Sequence, residues 1–250
     1  MPPRYEVIGV AGLPEFRPGD DVASLTVEAA RRQGTPLRER DLLVVSQKIV
    51  SKVEGRLVRL SDVTPTARAD AVAEEIGRDP RLVEVILRES RRVVRQAKGV
   101  LIVETHQGWV CANAGVDQSN VDPDTASLLP EDSDRSASAL RDRLRVLTGH
   151  ELAVIIADTF GRPWREGLVN VAIGLAGFQP IRSYLGEPDP AGYVLQATIL
   201  ALADELAGAA EPVMGKLDRV PVAIVRGLDW EGGEASSRSL QRDPARDLFR

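Results

Sequence analysis

The spacing of apolar residues changes several times along the chain, and each change marks an element. Tyr5 to Val10 alternates weakly and predicts a strand, broken by Gly12-Leu13-Pro14-Glu15 and Arg17-Pro18-Gly19-Asp20. Asp20 or Asp21 can cap a helix whose Val22, Leu25 and Ala29 share one face, ending near Gln33 with Gly34 as the stop. Asp41 to Ser46 (DLLVVS) reads as a buried strand, and Lys48 to Leu60 as extended, alternating chain. Residues 66 to 90 have a helical period interrupted at Asp79-Pro80. Arg92 to Arg95 and Val100 to Glu104 predict strands, the second turning at Gln107-Gly108 into Trp109-Val110-Cys111.

Ala112 to Pro130 has no period and is rich in Asn, Asp, Gly and Ser, which predicts a long loop of the kind that carries function. A helix on Leu140, Leu144 and Leu147 follows, spanning Ser136 to Thr148. Leu152 to Ala157 is a short, wholly apolar strand closed by Asp158-Thr159. Asp189-Pro190 offers a cap and first-turn proline for a helix carrying Leu195, Ile199, Leu202 and Leu206. Val220 to Val225 is a last strand, and Asp229 to Arg250 is a polar tail. No regular βαβ alternation is present, so the expected class is α+β: mixed, largely antiparallel sheets with flanking helices, in one domain of two lobes over residues 1–250.

Composition narrows the function classes. A hydrophobic share of 43% and a charged share of 28% suit a globular enzyme with an ordinary core. A net charge of −5 disfavours a general nucleic-acid surface, so any anionic ligand must meet locally clustered cations. The two histidines, His106 and His150, lie in no zinc or triad spacing, and the single cysteine, Cys111, reads as core filler. Without a signal peptide or a membrane-length apolar run, the expected location is cytoplasmic, with no membrane partner.

The candidate chemistry gathers in four places. Asp158, emerging from an apolar strand, can hold a hard cation such as Mg2+ or Mn2+; it also reads as a turn aspartate capping the next backbone. Arg162 and Arg165 follow it in FGRPWREG, where they can clamp phosphate oxygens or lie over Trp164. Asn113, Gly115, Asp117, Ser119 and Asn120 concentrate oxygen ligands and amides; Asp117 can give a second carboxylate, or the segment is an Asx-rich turn. Lys48 and Lys52, four apart, share a face of an extended strand and can contact a polyphosphate or guard a sheet edge. Neither a P-loop nor a GxGxxG fingerprint is present.

Taken together, GLPEFRPGDD (12–21), SKVEGRL (51–57), CANAGVDQSNV (111–121), DTFGRPWREG (158–167) and ADELAGAAEPVMGK (203–216) resemble one family, the coenzyme F420:L-glutamate ligases, in the family's order. The resemblance implies a GTP-dependent amide ligase that adds L-glutamate to coenzyme F420-0 and then, γ-linked, to F420-1. It implies Gly12, Leu13, Pro14 and Glu15 as a strip along the guanine nucleotide, with Gln47, Lys52, Asn120 and the Met214-Gly215-Lys216 segment beside it. It implies Asp117, Asp158 and Thr159 as ligands of Mn2+ or Mg2+, Thr159 through its hydroxyl or carbonyl, with K+ as a further candidate ion. A homodimer is implied as well, and a C-terminal nitroreductase-like domain found in some members is not expected here. One departure stands out: Lys216 replaces a Gln or Glu of archaeal members, and a protonated lysine cannot ligate a metal.

From the chemistry of amide formation, an acyl phosphate is expected, with Arg162, Arg165 and Lys48 offsetting charge on the transferred phosphoryl group. Two other classes use the same residues: a metal-dependent phosphohydrolase, in which water replaces the amine, and a nucleotide-binding regulator without turnover.

Overall fold

The computed structural model describes residues 3–247, so the last three positions of the polar tail lie outside the described residues. The first half of the chain contains β1 (Glu6–Gly9), α1 (Val22–Arg32), β2 (Leu42–Ser46), α2 (Gln47–Val53), β3 (Leu57–Arg59), α3 (Ala67–Ile76), α4 (Pro80–Arg88), β4 (Ser90–Ala97), β5 (Val100–Thr105) and β6 (Val110–Ala112). The second half contains β7 (Thr125–Ser127), α5 (Ser133–Thr148), β8 (Ala153–Arg162), β9 (Arg165–Ala176), β10 (Arg182–Ser183), β11 (Ile199–Leu200), α6 (Leu202–Met214) and β12 (Val222–Arg226). The class is α+β. Every named strand pairing is antiparallel except β2 with β8.

The main sheet has the order β1-β12-β2-β8-β9. Its central strands are continuous apolar runs because both faces are covered. Leu43, Val45, Val154 and Ile156 face α1, α2 and α5, while Leu42, Val44, Ala153 and Ile155 face α6 and the Phe178–Trp230 pair. Full burial of Ile155 and of Ile156 contributes about 1.5–3 kcal/mol each. Gly174 of β9 passes so close to the Ser133 backbone at the start of α5 that a Cβ there would collide with it. A second apolar cluster, including Leu60, Val83, Ile86, Leu101, Val103 and Leu128, lies between α3, α4 and the sheet β4-β5-β6.

Four expectations need correction. Residues 47–53 are helical, not extended, because Ile49 and Val50 fill the core beside α1. The strand after Leu152 does not end at Ala157: β8 runs on to Arg162 and turns at Pro163-Trp164 into β9, an antiparallel hairpin. Asp189 caps a tight turn, accepting from the Ala191 and Tyr193 amides, and the helix begins only at Leu202. The 112–130 segment is not wholly irregular, since β7 within it pairs with β3. No helix among the described residues is long and apolar enough to cross a membrane.

Candidate functional site

Strand direction explains why motifs far apart in sequence meet. Because β12 runs antiparallel to both β1 and β2, and β8 runs parallel to β2, strands β1, β2 and β8 all end at the same edge of the sheet, where β12 begins. The Ser46 amide donates to the Pro221 carbonyl and the Val10 amide to the Val222 carbonyl, both at 2.8 Å, which ties that edge together. Gly12 to Glu15, Gln47 and Lys48, Asp158, and Met214 to Lys216 are therefore neighbours of one rim. Carboxyl ends of parallel strands are a common position for ligand sites in α/β sheets, and the β2–β8 pair reproduces that geometry locally.

The loop carrying Asp117 folds onto this rim. Lys48, in the first turn of α2, donates to Asp117 Oδ2 at 2.5 Å, to Ser119 Oγ at 2.5 Å and to the Ser119 carbonyl at 3.1 Å. The Ser119 amide and hydroxyl also donate to Asp117, at 2.8 and 2.7 Å. Burial raises the Asp117 carboxyl, but these bonds and the Lys48 charge outweigh it and hold the group below the usual carboxylate range. Asp158 behaves oppositely. Burial at the end of the apolar strand, with Asp117 adding repulsion, pushes it up to about 6 against the Thr159 amide, Lys48 and Lys216. Cys111 also lies within the field of Asp158; burial first, then that carboxylate, pushes its thiol up to about 12, so it is an inert core group.

Neighbours on a strand point to opposite faces, and Asp158 and Thr159 do so. Phe160, which shares a face with Asp158, packs on the α1–α2–α5 side. Thr159 instead meets the loop after α6: Lys216 Nζ donates to its Oγ at 2.7 Å and forms an ion pair with Glu211 Oε1 at 2.9 Å. The Thr159 hydroxyl donates to Asn170 Oδ1 at 2.7 Å.

The other residues singled out from sequence divide into those at the rim and those away from it. Lys52 does share a face with Lys48, as i and i+4 of a helix, and it pairs with Glu15. Gly12 has φ +72° with open space around it, and Gln33 braces the strip by accepting from the Ala11 amide and donating to the Gly9 carbonyl. Gln47 is buried and accepts from Ser51; Asn120 is exposed with φ +55°. Met214 is core, whereas Gly215 (φ +58°) starts the loop that presents Lys216. Arg162 and Arg165 are cross-strand partners at the hairpin tip, and the Arg162 guanidinium donates to the Glu166 carbonyl. Arg162 lies four residue steps beyond Asp158, about 13 Å along the backbone, and neither arginine bonds the carboxylate cluster. A cavity of about 220 Å³ lies elsewhere, lined by Arg56, Glu89, His106 and Glu131, and its guanidinium is already engaged by both glutamates.

The chain matches the family model of F420-0:gamma-glutamyl ligase over residues 11–227. It is 45% identical over 247 residues to the coenzyme F420:L-glutamate ligase of Methanothermobacter thermautotrophicus, covering 98% of each chain. The protein of that name from Methanopyrus kandleri is 48% identical over 241 residues, 94% of each. This chain belongs to the F420-0:gamma-glutamyl ligase family.

Asp117, Asp158 and the Thr159 carbonyl or hydroxyl are hard oxygen groups of the kind that would suit Mg2+ or Mn2+. No group of three or more His, Cys, Asp or Glu side chains suited to a metal occurs among the described residues, so such an ion would lean on non-carboxylate oxygens. The raised Asp158 carboxyl is the observation that favours the fit: a divalent ion would relieve the burial and repulsion that disfavour its charge. Sequence reasoning overlooked Asn170, a buried amide in the otherwise apolar run VNVAIGLA, and that contrast was its available signal.

Proposed function

We propose that this chain joins L-glutamate, through its amine, first to the carboxylate of coenzyme F420-0 and then to the γ-carboxylate of F420-1, using GTP and Mn2+ or Mg2+, with K+ as an accessory ion. The observation that carries the reading is the meeting of Lys48, Asp117 and Asp158 at one rim, in a chain 45–48% identical to proteins named as this ligase.

A carboxylate does not acylate an amine at neutral pH, so the γ-phosphoryl group of GTP passes to it, giving an acyl phosphate and GDP. The glutamate nitrogen attacks the acyl carbon, the amide bond forms, and phosphate leaves with the electron pair of the broken C–O bond. Asp117, Asp158 and Thr159 would hold the divalent ion, which when bound neutralises phosphate charge. Lys48 sits on the Asp117 loop as a second cation for the transferred group, and Gly12 to Glu15 with Lys52 would line the nucleotide. Lys216, seated on Thr159 and within the field of Asp158, can pair with phosphate in place of a metal ligand. Arg162 and Arg165 would contribute only where the hairpin tip meets substrate, and Arg165→Ala with unchanged turnover removes Arg165 from the mechanism. A homodimer is part of the same proposal.

The test is mass spectrometry of the deazaflavin pool after incubation with F420-0, L-glutamate, GTP and Mn2+. A ladder spaced by glutamyl units, absent with Asp158→Asn, is the expected result. An unchanged pool with GTP hydrolysis independent of glutamate would instead indicate the phosphohydrolase.

A further inference from the structure

Lys216 is exposed and belongs to a loop, yet its ammonium has a defined seat between Glu211 and Thr159. An ammonium only donates, so the Thr159 oxygen must accept from it, and the single hydroxyl proton of Thr159 has to go elsewhere. It goes to Asn170, the residue directly opposite Thr159 across the β8–β9 pairing, 2.7 Å away and buried under α6. With that proton committed to the amide oxygen, the threonine oxygen is left turned toward the lysine. Removing the acceptor would free the hydroxyl to rotate and to point its proton at the ammonium, which repels it.

We propose that Asn170 is a positioning residue that acts through the Thr159 hydroxyl to hold the Lys216 ammonium at the rim, presenting a fixed cation to the phosphates of the nucleotide. The inference rests on the functional reading above for the identity of the anion. It also assigns the Thr159 side chain to the lysine, so that any contact of Thr159 with a divalent ion is made through its carbonyl. The opposite facing of Asp158 and Thr159 supports this division of labour.

The experiment measures two affinities, for GTP and for Mn2+ alone, in Asn170→Leu, Thr159→Val, Lys216→Met and the Asn170→Leu/Lys216→Met double variant, with Asp158→Asn as a reference for loss of Mn2+. Circular dichroism checks folding, and the nearly isosteric Thr159→Val interrupts the same relay if Asn170→Leu does not fold. Lys216→Met is expected to weaken GTP binding about tenfold, the scale of one charge-assisted contact. Asn170→Leu and Thr159→Val should each weaken it about three- to tenfold, with Mn2+ affinity unchanged. In the Lys216→Met background, Asn170→Leu should add nothing, a non-additivity that general loosening of β9 would not produce. Asn170→Asp, which keeps an acceptor for the hydroxyl, should restore most of the GTP affinity. Loss of Mn2+ binding in Thr159→Val comparable to that in Asp158→Asn would overturn the assignment, as would an Asn170→Leu effect that persists without Lys216. A parent protein that binds no GTP would overturn the functional reading and this inference together, whereas GTP binding untouched by Asn170→Leu would overturn the inference alone.

Discussion

Asp117 and Asp158 lie at one rim, yet their surroundings push their carboxyls in opposite directions. Asp117 belongs to a loop that supplies donors from Ser119 and receives Lys48, so its charged form is solvated by the protein itself. Asp158 ends a strand run whose neighbours are apolar; it receives the Thr159 amide and more distant cations, which do not offset its burial. Two acids separated in this way can take different parts, one a settled anion and the other a group whose charge awaits a cation.

The largest expected effect comes from removing the strained member. Asp158→Asn should lower glutamyl transfer by about 10³-fold or more, read as loss of the product ladder, because a carboxylate that would hold the divalent ion loses its charge. The same variant should be more stable than the parent at pH 7.5 without added metal, which thermal unfolding would check; a lower melting temperature would contradict the account of Asp158.

Lys48→Met should make Asp117 resemble Asp158. Turnover is expected to fall about 10²-fold, and stability near neutral pH by about 1–3 kcal/mol in urea unfolding, since a partly buried carboxylate loses its partner. The Asp117 carboxyl is depressed in the folded state, so its contribution is present above its unfolded value of 3.8 and is lost as pH falls through the folded value. Lys48→Met should abolish that acid-side loss.

For Asp158 the sign reverses. The folded group, at about 6, holds its proton over a range in which the unfolded group, at 3.8, has released it. Metal-free protein should therefore lose stability as pH rises from about 4 to about 6 and then level off. After discounting for its partial exposure, the loss is about 1–2 kcal/mol. The slope should be missing in Asp158→Asn. Ser119→Ala is the smallest perturbation: it removes one hydroxyl from the Asp117 cluster and should cost about 0.5–1 kcal/mol, with turnover changed less than by Lys48→Met.

Much of the scaffold was legible because local physics and the fold agree. The apolar runs at 42–45 and 153–157 became central strands, Asp21 caps α1 as its chemistry suggested, and the interruption at Asp79-Pro80 is the start of α4. Residues 47–53 were misread because β-branched Ile49, Val50 and Val53 favour extended chain locally, while burial against α1 selects a helix. The hairpin at 162–165 was not legible, because a Pro and Gly-rich stretch carries no strand pattern, though Pro163-Trp164 makes a two-residue turn between paired strands.

The sequence by itself marked the family, through motifs irregular enough to be specific, and singled out candidates for its chemistry: two aspartates, a threonine, three lysines and the Gly12–Glu15 strip. Only the tertiary structure decided their alliances. Strand direction brought positions more than a hundred residues apart to one rim, and strand alternation sent Asp158 to Lys48 and Asp117 but Thr159 to Lys216 and Asn170. A carboxylate's charge depends on burial and on neighbours several ångströms away, and those neighbours are set by pairing and packing rather than by the order of residues.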